Sequence, residues 1–284
     1  MPKPVDDADR ERIAQLDFMM ATWASMPHVN FVVKSQHCTV LRRARRHRLP
    51  TLRDPITANE IGSLTYRRVL PMLEDGTIPS NTPLVGYANA DIWFDSTLGQ
   101  TAVLVMEKFG NELNRVFVIG RRLNMDFRDV ARVAEQGIGL PKRNNVAAEL
   151  ETTIAQDYFI YGRGIEIQWQ CVPPFLIGGI MFDNWLTSLV NNMDGMHTID
   201  ATMLLNAVHI NHGDVRHESH DNAASDVNRV IALVNPIGEM SSMPEAQWTL
   251  WRFKDGRTDF HRNVRVKTNV PDPKYTRCLA RYAT

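Results

Sequence analysis

The spacing of apolar residues along the chain predicts both helices and strands. In residues 8–26 the apolar side chains recur every three or four positions, the period of a helix that buries one face. The same period predicts helices at residues 57–73, 96–109 and 184–193. Short apolar runs predict strands at residues 29–33, 84–93, 115–120, 157–161, 165–169 and 199–210. This succession favours an α/β fold with a mixed central sheet flanked by helices.

A single domain accounts for this pattern. The chain of 284 residues contains no internal repeat and no low-complexity linker, so we expect one domain over residues 1–284, with its core at about residues 10–235. After Trp251 the chain carries nine Lys or Arg against three Asp and shows little periodicity. We expect this tail, residues 251–284, to pack on the domain or to form a binding edge.

Composition and charge limit the kinds of partner. Apolar residues make up 44% of the chain and charged residues 23%, which is ordinary for a soluble globular protein. The formal net charge is zero, so a surface for nucleic acid must be a local patch. Residues 42–48 form such a patch, which could hold DNA phosphates or could be a solvated surface. The arginines considered for DNA are Arg42, Arg43, Arg45 and Arg46.

The cysteines and the apolar segments indicate in which cellular compartment the protein is expected. Cys38, Cys171 and Cys278 are far apart, odd in number and in no metal-binding spacing, so we expect reduced thiols. The amino terminus has no apolar core of a secretory signal, and the longest apolar stretch, residues 173–182, is too short to span a bilayer. We therefore expect a protein without a membrane partner, not secreted, in the cytoplasm or nucleus, or in the host cytoplasm if it is viral.

Asp91 stands out because apolar residues precede and follow it. An ionised carboxylate in such a run costs several kcal/mol unless it is paired or binds a cation. If the run is a central strand, Asp91 lies at its carboxyl end, where α/β proteins place residues that face a ligand. The alternative is an Asp that caps the strand or the next turn. Asp95, four residues on, could take part or only end the strand.

Two arginines follow the predicted strand at residues 115–120. Guanidinium groups bind phosphate oxygens through two hydrogen bonds, so Arg121 and Arg122 are candidates for a diphosphate site. The alternative is that one arginine pairs with Asp126 while the other is solvated.

Further candidates lie in the second half of the chain. Asp157 could begin a strand or bind a sugar hydroxyl. Asp183 follows the glycine pair at residues 178–179, at the start of a predicted helix, where it could be a helix cap or a general base. His209 lies in a predicted strand rich in polar residues, and oxygen and imidazole ligands together suit Mn²⁺ or Mg²⁺.

In chain order these segments resemble a family of GT-A-like glycosyltransferases, which includes the glucosyltransferase of base J synthesis and DNA glycosyltransferases associated with TET/JBP oxygenases. The resemblance covers roughly residues 84–212. The segments that carry it are Asn89-Ala-Asp91-Ile, Ile119-Gly-Arg-Arg122, Asp157-Tyr-Phe, Phe182-Asp-Asn-Trp185, Ile199-Asp-Ala-Thr202 and His209-Ile-Asn-His212. The amino-terminal third departs from the family because it lacks an evident nucleobase-binding signature.

The resemblance implies a function. A hexose, glucose in the leading hypothesis, would pass from a UDP-sugar to the hydroxymethyl group of a modified pyrimidine in DNA, with inversion at the anomeric carbon. A base oxygenase would then be a partner in the pathway. A protein, glycan or small-molecule acceptor is the first alternative, and an inactive GT-A-like binding module is the second.

The resemblance also implies a role for each candidate residue. Asp91 and His209 would bind Mn²⁺ or Mg²⁺, and Asp183 would be the general base, with Asp157 or Asp200 as the next candidates. The donor would be bound by Asn89, Arg121, Arg122, Asp126 and Asp157. Apart from the resemblance, we expect Trp185 and the arginines of residues 42–46 to contact the acceptor.

Overall fold

The structure is a computed structural model that describes residues 9–35, 37–53, 65–73, 81–136, 149–211, 223–237, 243–263 and 278. The helices are α1 (Arg10–Ser25), α2 (Cys38–Arg46), α3 (Tyr66–Val69), α4 (Thr97–Phe109), α5 (Phe127–Gln136), α6 (Phe182–Asn191) and α7 (Ala223–Val234). The strands are β1 (Val33–Ser35), β2 (Thr51–Arg53), β3 (Leu84–Ala88), β4 (Ile92–Phe94), β5 (Val116–Ile119), β6 (Leu123–Asp126), β7 (Glu149–Leu150), β8 (Tyr158–Gly162), β9 (His197–Asp200), β10 (Ala207–Asn211), β11 (Trp248–Arg252) and β12 (Thr258–Arg262).

The strands of the described residues form several mixed sheets, so the α/β class is confirmed while a single central sheet is not. A six-stranded sheet has the order β12-β11-β9-β5-β8-β3, and a four-stranded sheet has the order β4-β10-β6-β7. Strands β1 and β2 form a separate parallel pair. In the six-stranded sheet β5, β9 and β11 are parallel, whereas β8 runs antiparallel to both β5 and β3.

The helices cover both sheets with apolar side chains. One face of the six-stranded sheet packs Phe117 and Phe159 against Phe182 and Trp185 of α6. Its other face packs Val116 and Val118 together with residues of α4. The four-stranded sheet buries Val208 and Ile210 against α1, α2 and α5. The core on the α4 side also contains Ile92, Phe94 and Ala207 of the four-stranded sheet, so the two sheets share it. The polar residues of the candidate site lie where the two sheets meet.

Several predicted elements agree with the structure. Helices α1, α4 and α6 and strands β5 and β8 lie where the apolar pattern places them. Part of the predicted helix at residues 57–73 lies outside the described residues; the remainder is α3 followed by a 3-10 turn at Leu70–Leu73. The strand predicted at residues 29–33 is shifted to Val33–Ser35, and the basic run belongs to α2.

Three predicted strands are wrong in extent or type. The run at residues 84–93 is split into β3 and β4, which belong to different sheets. The run at residues 199–210 is likewise split between β9 and β10. Residues 165–169 form no strand: Ile165, Ile167 and Trp169 are buried in alternation, but the segment bonds locally, as from the Ile165 amide to the Gly162 carbonyl at 3.1 Å. Alternating burial therefore arises there without a partner strand.

The prediction of reduced thiols is wrong for two of the cysteines. Cys171 and Cys278 form a disulfide, with their Cα atoms 5.8 Å apart, while Cys38 is free and exposed. A separation of 107 residues gives no local spacing from which the pair could be recognised. Among the described residues, no helix is both long and apolar enough to cross a membrane.

Candidate functional site

Antiparallel pairing of β3 with β8 brings Asn89 and Asp157 together. Ala88 pairs with Tyr158, so Asn89, just beyond β3, lies opposite Asp157, just before β8. The Asn89 amide donates to the Asp157 carbonyl at 2.9 Å, and its side-chain Nδ2 donates to Asp157 Oδ1 at 2.7 Å. The two sequence candidates are thus fixed to each other by backbone and side chain.

Asp91 lies in a turn between the two sheets, not at the end of a central strand as the sequence suggests. Strand β3 is the edge of the six-stranded sheet, and the bond from the Ile92 amide to the Asn89 carbonyl, at 3.2 Å, closes the turn. The chain then enters β4, which pairs with β10 so that Ile92 faces His209. His209 Nε2 lies 3.5 Å from Asp91 Oδ2. The turn therefore places a carboxylate beside an imidazole.

Arg122 compensates the acidic side chains of this region. Its guanidinium pairs with Asp157 and lies 3.6 Å from Glu151, while its Nε donates to Asn124 at 3.2 Å. The alternative, a pair between one arginine and Asp126, is not formed: Asp126 ends β6 and accepts from the Asn211 side chain at 3.1 Å. Arg122 is thus held by two carboxylates, with which any bound diphosphate would have to compete.

Burial and neighbouring charges act on Asp157 in opposite directions. Desolvation raises the pKa of this carboxyl, and Arg122 beside it lowers the pKa; the net direction is upward. Asp91 and His209 also act on the pKa of Asp157, the first upward and the second downward, so all three groups lie within electrostatic range of one another. We call Asp91, Arg122, Asp157, Asp183 and His209 the junction site.

Asp183 approaches this group from the first turn of α6. The helix begins at Phe182, so Asp183 is its second residue and not the predicted N-cap; Met181 precedes the helix with a left-handed φ of 80°. The carboxylate accepts from the Gln156 amide at 3.2 Å. Desolvation raises the pKa of Asp183 to about 7, because the bonds from backbone amides oppose the effect of burial only in part. The negative charge on Asp157 contributes to this rise in the pKa of Asp183.

A hydrogen-bonded chain that sequence reasoning missed leads into the junction site. The Tyr66 hydroxyl donates to Tyr87, the Tyr87 hydroxyl donates to Asn89 Oδ1 at 3.0 Å, and Asn89 donates to Asp157. Burial raises the pKa of both tyrosines, so they stay protonated donors. Tyr66 also stacks on Phe182, beside Asp183, with ring centroids 3.7 Å apart. Val85 and Tyr87 lie on the same face of β3, and Val85 is buried. Nothing in the sequence indicates that Tyr66 is the partner of Tyr87.

Other predicted donor and acceptor residues lie elsewhere. Arg121 donates from Nε to the Glu151 carbonyl at 2.6 Å and from its amide to Thr202 Oγ1 at 2.9 Å, and its charge acts on Asp200. Trp185 is 1% exposed, and its indole donates to the Asn235 carbonyl at 2.8 Å. Because Trp185 belongs to the core, the expectation that it contacts an acceptor is wrong.

Asp95 and Asp200 hold turns. Asp95 accepts from the amide and the hydroxyl of Thr97 at the start of α4, and from the Asn206 side chain at 2.7 Å. Asp200 accepts from the amide and the hydroxyl of Thr202, at 2.9 and 2.5 Å. Both carboxylates therefore have local structural partners.

The arginines of the basic run differ in exposure. Arg42, Arg45 and Arg46 are exposed on α2. Arg43 turns inward and pairs with Asp17 of α1, which also lies 3.3 Å from His47. The phosphate-binding hypothesis thus keeps three exposed arginines of α2, while Arg43 joins α1 to α2.

The junction site offers a divalent cation few protein ligands. Among the described residues, no cluster of three or more His, Cys, Asp or Glu side chains could enclose a metal. The histidines at 212, 217 and 220 lie outside those residues. Asp91 and His209 nevertheless present an oxygen and a nitrogen side by side. Mg²⁺ is commonly bound through one or two carboxylates together with substrate phosphates, and Asp91 is a ligand of this kind.

The chain matches no protein-family model, no curated protein and no solved structure. The chemistry of the junction site and the resemblance of its sequence segments are therefore the two indications of function.

Proposed function

We propose that the protein is a metal-dependent, inverting glycosyltransferase that uses a nucleotide sugar. The observation that carries the proposal is the convergence of Asp91, His209, Asp157 and Asp183 at the junction of two sheets. Segments more than 100 residues apart supply one candidate cation-binding pair and a separate carboxyl whose pKa is raised to about 7. These two features suit a transfer reaction. A bound cation can stabilise the negative charge of the leaving diphosphate, and a carboxylate can accept the proton of the attacking hydroxyl.

Asp183 is the proposed general base. A base works best when its pKa lies near the working pH, because it is then largely ionised and still strongly basic. In the proposed step the acceptor oxygen attacks the anomeric carbon of the sugar while its proton moves to Asp183. The bond from that carbon to the diphosphate oxygen breaks, and its electron pair leaves with the nucleoside diphosphate. Attack from the face opposite the leaving group inverts the anomeric carbon.

Asp91 and His209 would hold Mn²⁺ or Mg²⁺ at the donor diphosphate. Bound there, the cation would supply Lewis-acid stabilisation of the charge on the departing nucleotide. Asn89 and Asp157 are the proposed contacts to sugar hydroxyls, since both offer polar atoms next to this pair. Arg122 would exchange part of its pairing with Asp157 and Glu151 for the diphosphate.

The proposed acceptor is a hydroxymethylated pyrimidine in DNA, supplied by a base oxygenase, and glucose from UDP-glucose is the leading donor. The sequence resemblance supports this acceptor, and the exposed arginines of α2 offer a surface for its phosphates. A protein, glycan or small-molecule acceptor is the alternative within the same enzyme class.

The test is incubation of the protein with a panel of nucleotide sugars, Mn²⁺ and hydroxymethylated DNA, followed by mass spectrometry of the nucleosides. A hexose on the modified base that disappears in chelator supports the proposal. Metal-dependent donor hydrolysis without DNA product keeps the enzyme class and rejects the DNA acceptor. Donor binding without any turnover identifies a binding module instead.

A further inference from the structure

The segment that precedes Asp183 is held by buried side chains of another helix, chiefly Asn228. Asn228 of α7 is 0% exposed and makes three hydrogen bonds to the loop at residues 176–180. Its Oδ1 accepts from the Leu176 amide at 2.7 Å, and its Nδ2 donates to the carbonyls of Leu176 at 2.9 Å and Ile180 at 3.0 Å. One amide group thus satisfies backbone atoms at both ends of the loop.

The loop also packs too closely on α7 for any side chain at residue 179. A Cβ atom at Gly179 would lie 2.6 Å from the Ala224 carbonyl oxygen and 2.6 Å from Asn228 Nδ2, so glycine is required at this position. Ser225, one turn before Asn228, accepts from the Ile180 amide at 3.4 Å and is fully buried. Contacts from α7 therefore fix the loop directly before α6.

The loop ends in a backbone conformation that a free chain would rarely adopt. Met181 has a φ of 80°, in the left-handed region, which is costly for a residue with a side chain and persists only where the surroundings impose it. This residue immediately precedes α6, and Asp183 is only two positions later. Loosening the loop would let Met181 relax, and the first turn of α6 would fray with it.

We propose that Asn228 is a positioning residue for Asp183: by fixing loop 176–180 from α7 it holds the first turn of α6 and, with it, the carboxylate of Asp183. The groups that face this carboxylate from other elements are Asp157 and Tyr66, together with the Gln156 amide. None of them contacts Asn228 in the hydrogen bonds described above. A change at residue 228 therefore reaches Asp183 through the loop.

The direction of the effect follows from the causes of the Asp183 pKa. Burial is the largest cause of its rise to about 7, and the backbone amides that oppose it belong partly to the same first turn. Fraying admits water to the carboxylate, and this outweighs the loss of amide donors. We therefore expect the pKa of Asp183 to fall toward its ordinary value of 3.8 when the loop is released.

The test perturbs the contact from both sides. Asn228→Ala removes the three hydrogen bonds that Asn228 makes to the loop, whereas Gly179→Ala pushes the loop away from α7 without changing the identity of residue 228. Ser225→Ala removes only the longest bond and serves as the mildest variant. The matched control is Asn192→Ala, which deletes another buried asparagine, at the opposite end of α6, where its Nδ2 donates to the Ile237 carbonyl at 3.2 Å.

Two measurements are made on each variant. The first is an NMR titration of the Asp183 side-chain carboxyl, which requires no activity. The second, which rests on the proposed function, is the rate of transfer at saturating donor, expected to fall by about tenfold or more with the donor KM unchanged. Asn228→Ala and Gly179→Ala should both lower the pKa of Asp183, and Asn192→Ala should not.

Equal Asp183 titrations in wild type, Asn228→Ala and Gly179→Ala would overturn the inference. Absence of transfer in the wild type would instead reject the proposed function. The titration of Asp183 would then still test whether Asn228 positions this carboxylate. If Asn228→Ala does not fold, Gly179→Ala and Ser225→Ala decide, with a smaller shift in the same direction expected for Ser225→Ala.

Discussion

The ionised form of Asp183 lowers the stability of the fold, yet it is the form that can act as a base. Its pKa is raised to about 7 in the folded state, against an ordinary value of 3.8. For a carboxyl whose pKa rises on folding, protonation favours the folded state. The contribution to stability is complete below pH 3.8 and is lost as the pH rises to about 7. At neutral pH and above, the ionised carboxylate therefore destabilises the fold while it is available as a base.

We expect Asp183→Asn to make the protein more stable and less active. The neutral amide removes the desolvated charge, so the free energy of unfolding should rise by on the order of 1 kcal/mol at pH 8, since the side chain is only partly buried. The gain should shrink as the pH falls toward 4. Sugar transfer should fall by about 10²–10⁴-fold. Urea unfolding at several pH values and a transfer assay measure the two effects, and an equally active mutant would return Asp183 to a structural role.

We expect Asp91→Asn to abolish metal-dependent donor turnover in a folded protein. An amide oxygen is a weaker ligand than a carboxylate for Mn²⁺ or Mg²⁺, and His209 alone would hold the cation poorly. The assay compares donor hydrolysis with and without chelator in wild type and mutant. Asp95→Asn is the matched control, because Asp95 binds Thr97 and Asn206 in a turn near by. Full activity of Asp91→Asn would remove Asp91 from the metal hypothesis.

For single residues, the sequence indicates which side chains are candidates for the site, and the structure shows their interaction partners. Asp91 and Asp183 could be selected from sequence because each carboxylate stands among apolar residues. The pairing of Arg122 with Asp157 and Glu151 could not be predicted, since it depends on how separate strands meet. Trp185 was misassigned because a tryptophan at a helix start fits a binding surface and a core equally well, and its burial is a tertiary property.

Among the elements, α2 combines a structural face and a basic face. Val40, Leu41 and Ala44 are buried, whereas Arg42, Arg45 and Arg46 are exposed. Arg43 lies between these faces and pairs with Asp17. The predicted DNA contact and the packing of α1 on α2 can therefore be separated by mutation within one helix.

We expect replacement of Arg42, Arg45 and Arg46 by Ala to weaken duplex DNA binding without loss of stability. Each lost phosphate contact should lower the slope of log affinity against log salt by about 0.9. Arg43→Ala should behave oppositely, with lower thermal stability and a nearly unchanged salt slope, because it leaves Asp17 without that partner. Fluorescence anisotropy over a salt series and thermal denaturation test both expectations. An unchanged slope in the triple mutant would make the exposed face of α2 ordinary solvated surface.

Elements with strong periodicity were the most predictable. Helices α1, α4 and α6 carry apolar stripes that any compact fold must bury. The division of residues 84–93 between two sheets was not predictable, because both halves are apolar and only the bond from Ile92 to Asn89 shows the turn. Helix α7 was not predicted from the sequence, although Asn228 on its buried face binds the loop before Asp183.

Over the whole molecule, the Cys171–Cys278 disulfide connects the six-stranded half of the fold to the basic tail. Cys171 packs against the core that contains Phe182 and Trp185, and the bond joins it to a residue 107 positions away. Disulfides persist in oxidising environments and are rare where glutathione keeps thiols reduced. The bond does not fit the cytosol-like compartment predicted from the number and spacing of the cysteines.

We expect loss of this disulfide to lower the free energy of unfolding by about 2–4 kcal/mol, because it closes a long loop and restricts the unfolded chain. Urea unfolding of the wild type with and without reductant, and of Cys171→Ser/Cys278→Ser, should give the same loss. Cys38→Ser, which changes the exposed free thiol, should leave stability and its response to reductant unchanged. Thiol titration of the oxidised, denatured protein gives a direct check: one reactive thiol is expected of the three cysteines. Three reactive thiols, with no effect of reductant on unfolding, would show that the bond does not form and would restore the prediction of a reducing compartment.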